Sequence, residues 1–296
     1  IPMLAFSNDD GSYSEVLVDS SPQILRLEQD YSGRSLLPTD PVVGFIDHLI
    51  EDYGDEWVTK IMYHYRWHHL YVDAIAKAGN MLPLMSDNQM NVEQHADIKD
   101  FITTRQMNRT ALVGSTDNNR DIIENSFVRL LRTLETHLTE NQFLLGNRPG
   151  RGDFGLFGQF SQLFFWEPDS SLIAARRSPR SVIWAYQIDD LSSLEIGETD
   201  GWFTRDKLPE SLLDLLSEIG GTYAPFLIAN EQAIEAGDPE LSCLIEGREY
   251  KQAPFAYQNK CLSWIREAFR QLSADNQDAV TQILSGTGCE VLIADV

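Results

Sequence analysis

Apolar residues recur at helical spacing through most of the chain. After Asp40-Pro41, the residues Ile46, Leu49, Ile50, Tyr53, Trp57, Ile61 and Tyr65 form one stripe, and Asp47, Glu51, Asp52 and Asp55 fall mostly on the other side. This predicts a long amphipathic helix, capped by Asp40 with Pro41 at its first position and bent near Gly54. A second stripe, Ile123, Phe127, Leu130, Leu131, Leu134 and Leu138, follows Thr116-Asp117 and ends near Asn141. Further helices are predicted over 92–111, 153–166, 170–177, 180–192 and 209–219, so that 39–219 reads as an all-helical bundle.

The two ends of the chain differ from this middle. Ile1-Pro2-Met3-Leu4-Ala5-Phe6 reads as a strand, Asn8-Asp9-Asp10-Gly11 as a turn and Glu15-Val16-Leu17-Val18 as a second strand. A helix follows, with Ser20 or Ser21 as its cap and Pro22 in its first turn. Beyond the bundle, Gly220-Gly221 reads as a break opening a region from 220 to 296. There the pattern predicts a helix from Tyr223 to Ala236 and a short hairpin over 241–251 turning at Gly247. Helices over 257–272 and 275–285 follow, with Ser273 as a candidate cap, and then a strand over 289–294.

Composition narrows the functional classes. At 296 residues the chain can bury a full core and is long enough for two units. Its 23 basic and 45 acidic residues give a net charge of −22, which argues against a nucleic-acid partner and against docking on anionic lipid. Cys243, Cys261 and Cys289 are few, odd in number and lack CxxC spacing, which points to a reduced, cytoplasmic setting. No continuous apolar run approaches the ~18 residues of a membrane span.

The strand, hairpin and hydroxyl-bearing helix start together make an anion-binding corner. Ser20 would hold a carboxylate there, and Asp19 an ammonium. The plainer reading is an ordinary serine cap with Asp19 in solvent. This order of elements resembles the second half of the thioredoxin-like domain of glutathione transferases. The resemblance continues through Gln23–Tyr31, Gly33–Pro38 and Phe143–Pro149 ahead of Asp153, and covers Ile1 to about Leu191. It implies a mainly helical protein divided into three parts. Residues 1–38 would be a partial thioredoxin-like unit, 39–219 a glutathione-transferase-type helical domain, and 220–296 a mostly helical extension.

The resemblance further implies a cis bond before Pro2, with the Ile1 backbone pairing with the cysteinyl part of glutathione. Asp19 and Ser20 would hold the γ-glutamyl end. Glutathione would be the co-substrate, a small electrophile the second substrate, and a homodimer the working form. The residue that stabilises the glutathione thiolate would lie upstream of Ile1, so the catalytic residue is unknown and the chain is expected to be part of a longer product. A non-catalytic scaffold of the same fold is the alternative.

In the resembling family the first long helix borders the electrophile cleft. Helical phase then makes Tyr63, His64, Trp67 and His68 candidate pocket residues. His64 and His68, at i and i+4, could also ligate a metal, but the HExxH pattern is absent and spacing supplies no third ligand, so no metal is expected. Asp153 and Gly150 occupy the positions of a buried helix-capping box that has lost its hydroxyl, which gives Asp153 a structural role. Cys261 lies on an apolar helical face and reads as a buried thiol.

Overall fold

The computed structural model describes residues 3–197 and 201–294, so the Ile1-Pro2 bond lies outside the described residues. The described residues are mainly helical, with two separate two-stranded sheets. Strands β1 (Met3–Ser7) and β2 (Tyr13–Val18) pair antiparallel, Leu4 opposite Leu17 and Phe6 opposite Glu15. The turn is closed by the Asn8 N–H donating to the Ser12 carbonyl at 2.8 Å. Helix α1 (Ser20–Asp30) lies on one side of this hairpin: the Arg26 guanidinium sits 4.4 Å over the Phe6 ring and its Nε donates to Glu15 at 2.8 Å. Strand alternation puts Met3, Val16 and Val18 on the other side, where they are exposed.

Helix α2 (Pro41–Tyr53) starts as predicted, with Asp40 Oδ1 accepting the Val42 N–H at 2.9 Å and Pro41 at the first position. The bend at Gly54 is a π-helical turn, Gly54–Val58, leading into α3 (Thr59–Trp67). Next come α4 (Val72–Ser86), α5 (Val92–Met107), α6 (Arg120–His137), α7 (Arg151–Phe165), α8 (Pro168–Arg177) and α9 (Pro179–Asp189). A Cβ on Gly54 would stand 2.8 Å from the Gly155 carbonyl carbon, so α7 crosses at a point where neither chain can carry a side chain.

The acidic side of α2 is not a solvated face. Asp47 is fully buried and accepts the N–H groups of Gly152 at 2.9 Å and Arg151 at 3.2 Å, at the start of α7. Asp153 accepts N–H groups from Gly150 at 3.0 Å, Leu144 at 3.1 Å and the Trp184 indole at 3.1 Å. It serves as the structural cap expected of it. A helix in the middle of a bundle must bury its polar stripe too, and here the free N–H groups of a neighbouring helix start satisfy it.

The C-terminal region departs most from the sequence pattern. Helix α10 (Glu210–Ala236) runs straight through Gly220-Gly221, where a break was expected. The reason is tertiary: a Cβ on Gly220 would meet the Thr287 carbonyl oxygen at 2.1 Å and the Cys289 N at 2.7 Å. The backbone of 287–289 packs into this notch and leads into a 3₁₀ turn, Cys289–Leu292, in place of the expected strand. It is fastened by the Cys289 thiol donating to the Leu216 carbonyl at 3.1 Å. On length and composition α10 qualifies as a membrane span, with mean hydropathy 1.2 over its best window, yet 61% of that window is buried inside the fold. That is the pattern of a central helix in a bundle.

Strands β3 (Leu241–Ile245) and β4 (Arg248–Gln252) form the predicted hairpin, turning through Glu246 and Gly247 at φ 53° and 71°. Helices α11 (Ala256–Arg270) and α12 (Ala274–Leu284) complete the chain, with Cys261 buried as expected. Ile46, Trp57, Phe127, Phe160, Tyr223 and Leu262 all belong to one continuous core, so the extension is built onto the bundle.

Candidate functional site

The hairpin delivers the chain to Asp19, whose backbone stands at φ 98° and ψ 137°. A non-glycine residue in this region is strained by ~1–3 kcal/mol, and such strain gathers at ligand clamps and active sites. The side chain is pinned from far along the sequence: the Tyr257 hydroxyl, in α11, donates to Asp19 Oδ2. Neither serine caps α1. The Ser20 hydroxyl donates to Asp55 at 3.2 Å and the Ser21 hydroxyl to Glu51 at 2.9 Å, and the side chain of Asp19, at the N-cap position, makes no cap hydrogen bond. The positive end of α1 therefore faces the acidic side of α2 and the π-helical turn.

These carboxyls are crowded and largely out of water. Burial pushes the Asp55 carboxyl up to about 8, with Glu51 adding to the shift. Burial also raises Glu51 and Glu56 above the usual carboxylate range, and the Arg151 guanidinium, 3.4 Å from Glu51, offsets part of the effect on Glu51. The arrangement offers a carboxylate the N–H end of a helix and a cation a ring of carboxyls, within one corner. Sequence reasoning found Asp19 and Ser20. It missed Glu51, Asp55 and Tyr257, and the i, i+4 spacing of Glu51 and Asp55 was the available signal for the first two.

The four candidates on α3 lie elsewhere. His64 is nine residues beyond Asp55, about 13 Å of helical rise. Its ring is fully buried, with Nδ1 2.8 Å from the Ser115 hydroxyl and Nε2 3.3 Å from Glu124. Trp67 is buried as well, and the half-buried Tyr63 places its hydroxyl 2.8 Å from the Gln106 carbonyl. His68 is buried between two other imidazoles, its ring centre 4.5 Å from His64 and 4.4 Å from His69. Burial and these two neighbours push its pKa down to about 4, so the ring is neutral at neutral pH. The structure thus groups His64 and His68 into a row of imidazoles and does not bring them to the Asp19 corner.

No cysteine is poised as a nucleophile. Burial raises Cys243 to about 11 and Cys289 to about 12, and it raises Cys261 as well. Comparison with known proteins adds no relative, since no family model, curated protein or solved structure matches the chain.

Proposed function

We propose that the chain is a glutathione transferase-like protein, with 1–38 as part of a thioredoxin-like unit and 39–219 as the helical domain of that type. The observation that carries this reading is the strained Asp19 at an uncapped helix start ringed by carboxyls. The γ-glutamyl end of glutathione carries one carboxylate and one ammonium. The first N–H groups of α1 with the Ser20 hydroxyl suit the carboxylate, and Asp19, backed by Asp55 and Glu51, suits the ammonium. Ile1 and Pro2 would take the cysteinyl part. The electrophile would occupy a cleft against α3, where Tyr63 is the half-buried candidate. The described residues assign no thiolate donor, because the Tyr257 hydroxyl is engaged by Asp19.

Calorimetric titration of the full chain with glutathione tests the reading. Binding that weakens at least about tenfold in both Asp19→Ala and Ser20→Ala supports it. Binding should also strengthen as pH rises toward 8, because an ammonium ligand favours the ionised form of Asp55. Absence of glutathione binding across that range overturns it. The exposed apolar side of the β1–β2 hairpin favours a second reading, a non-catalytic scaffold of the same fold. Glutathione binding by the full-length protein without turnover of a chlorodinitrobenzene would select the scaffold.

A further inference from the structure

The geometry points to a divalent-cation site of the zinc class formed by His68, His69 and Asp117. Nε2 of His68 lies 3.3 Å from Asp117 Oδ1, and Nε2 of His69 lies 3.6 Å from the same oxygen. All three ligand atoms fall within 4.8 Å of one another. A tetrahedral ion bound at about 2.0–2.1 Å requires ligand atoms about 3.3–3.4 Å apart, so small rotations of His69 and Asp117 complete the set. Two imidazoles and one carboxylate are a donor set that zinc accepts, and three protein ligands leave a fourth position open.

The ends of two elements make this convergence possible. Consecutive residues within a helix point in different directions. His68, however, has left the helix, at φ −66° and ψ 136°, and its ring lies against that of His69 at an interplanar angle of 31°. The loop carrying Asp117 is held in place by Asn119, whose amide donates to the carbonyls of Gly114 at 2.8 Å and Lys251 at 2.7 Å. The hydrogen bond between Ser115 and His64 fixes the loop to α3 from the other side. Spacing alone paired His64 with His68. The fold instead commits His64 to Ser115 and Glu124, and presents His69 and Asp117 in its place.

A second observation also points to a ligand. His68 is 2% exposed, and its Nδ1 is buried without a hydrogen-bond partner. A buried imidazole satisfied on neither side by a strong hydrogen bond is a poor choice for stability alone. An ion on Nε2 would supply the strong partner that this side of the ring lacks, while Nδ1 stays unpaired. Because Nδ1–H finds no acceptor to orient and strengthen the ring, affinity belongs in the micromolar range and not the nanomolar range of closed sites. The ion would tie the end of α3 to the connection between α5 and α6.

The test uses the full chain without an affinity tag. Titration with zinc chloride should show one ion per chain, and cobalt chloride should give the visible absorption of a four-coordinate ion. His69 and Asp117 are 56% and 74% exposed, so His69→Ala and Asp117→Asn should fold normally and each weaken zinc binding at least about tenfold. His95→Ala and Cys243→Ser, away from the cluster, should leave it unchanged. Absence of zinc binding in the wild-type chain, or binding that survives both His69→Ala and Asp117→Asn, overturns the assignment.

Discussion

The β1–β2–α1 unit and α10 show two ways of holding a segment in place. Helix α1 has no buried residue, whereas fourteen of the 27 residues of α10 are buried. The hairpin unit is attached to the bundle by polar links: Ser20 to Asp55, Ser21 to Glu51 and Tyr257 to Asp19. A hydrogen bond contributes a net of only about 1 kcal/mol, while burying a large apolar side chain contributes about 1.5–3 kcal/mol. Stability therefore resides in the bundle, and the corner that carries the candidate chemistry is attached to it loosely. A ligand-binding segment drawn from the less stable end of a fold is the expected arrangement.

The comparison is most severely tested by truncating a core side chain. Trp57 is fully buried and its indole N–H donates to Ser126 at 2.9 Å, so Trp57→Ala should cost about 3–5 kcal/mol in denaturant melts. Leu17→Ala, on the half-covered side of the hairpin, should cost about 1 kcal/mol. Equal losses would contradict the difference in burial between the two regions. Gly220→Ala should cost about 2–3 kcal/mol, because its methyl group has only the backbone of 287–289 to push against.

Acidity separates the regions further. Burial raises Asp47 and Asp55 to about 8 and Asp52, Asp153 and Glu167 to about 7. Unfolded, these carboxyls ionise near pH 4. Between those limits the folded state binds more protons, so their contribution is fully present below about pH 4 and is lost as pH rises through about 7–8. The melting temperature should be higher at pH 5.5 than at pH 8.5, and the reverse order would contradict the buried acidic stripe. The smallest effect belongs to the hairpin: Asp19→Gly relieves the positive φ but removes the acceptor of the Tyr257 hydroxyl, so the two effects should offset each other to within about 1 kcal/mol. The same variant should lose glutathione binding, and unchanged binding would remove Asp19 from the site.

Much of the fold is legible in the residues. Asp40-Pro41 marks the start of α2, the Phe127–Leu134 stripe marks α6, and Glu246-Gly247 marks the β3–β4 turn, because each is set by local chemistry. Helix α4 is not legible, as Gly79 and Pro83 interrupt its pattern. Gly220-Gly221 misleads for the opposite reason. A glycine pair resembles a break locally, while the requirement Gly220 meets is close approach by residues 67 or more positions away. At the candidate site, Asp19 and Ser20 are visible because they punctuate a strand and a helix. Glu51 and Asp55 are hidden because an acidic stripe looks the same whether it faces water or a buried helix start. Asp117 joins His68 only once the loop before α6 has folded back onto α3.

The link between Tyr257 and Asp19 also sets an order of events during synthesis. The two residues are 238 positions apart. At about 5–20 residues per second, a ribosome adds that length in about 12–48 s. Throughout that interval the hairpin and α1 have emerged, yet the hydroxyl that pins Asp19 does not exist. The strained corner is thus among the last features of the nascent chain to be finished, and a chain cut before α11 would keep the links of Ser20 and Ser21 to α2 and its π-helical turn but lack the one from Tyr257.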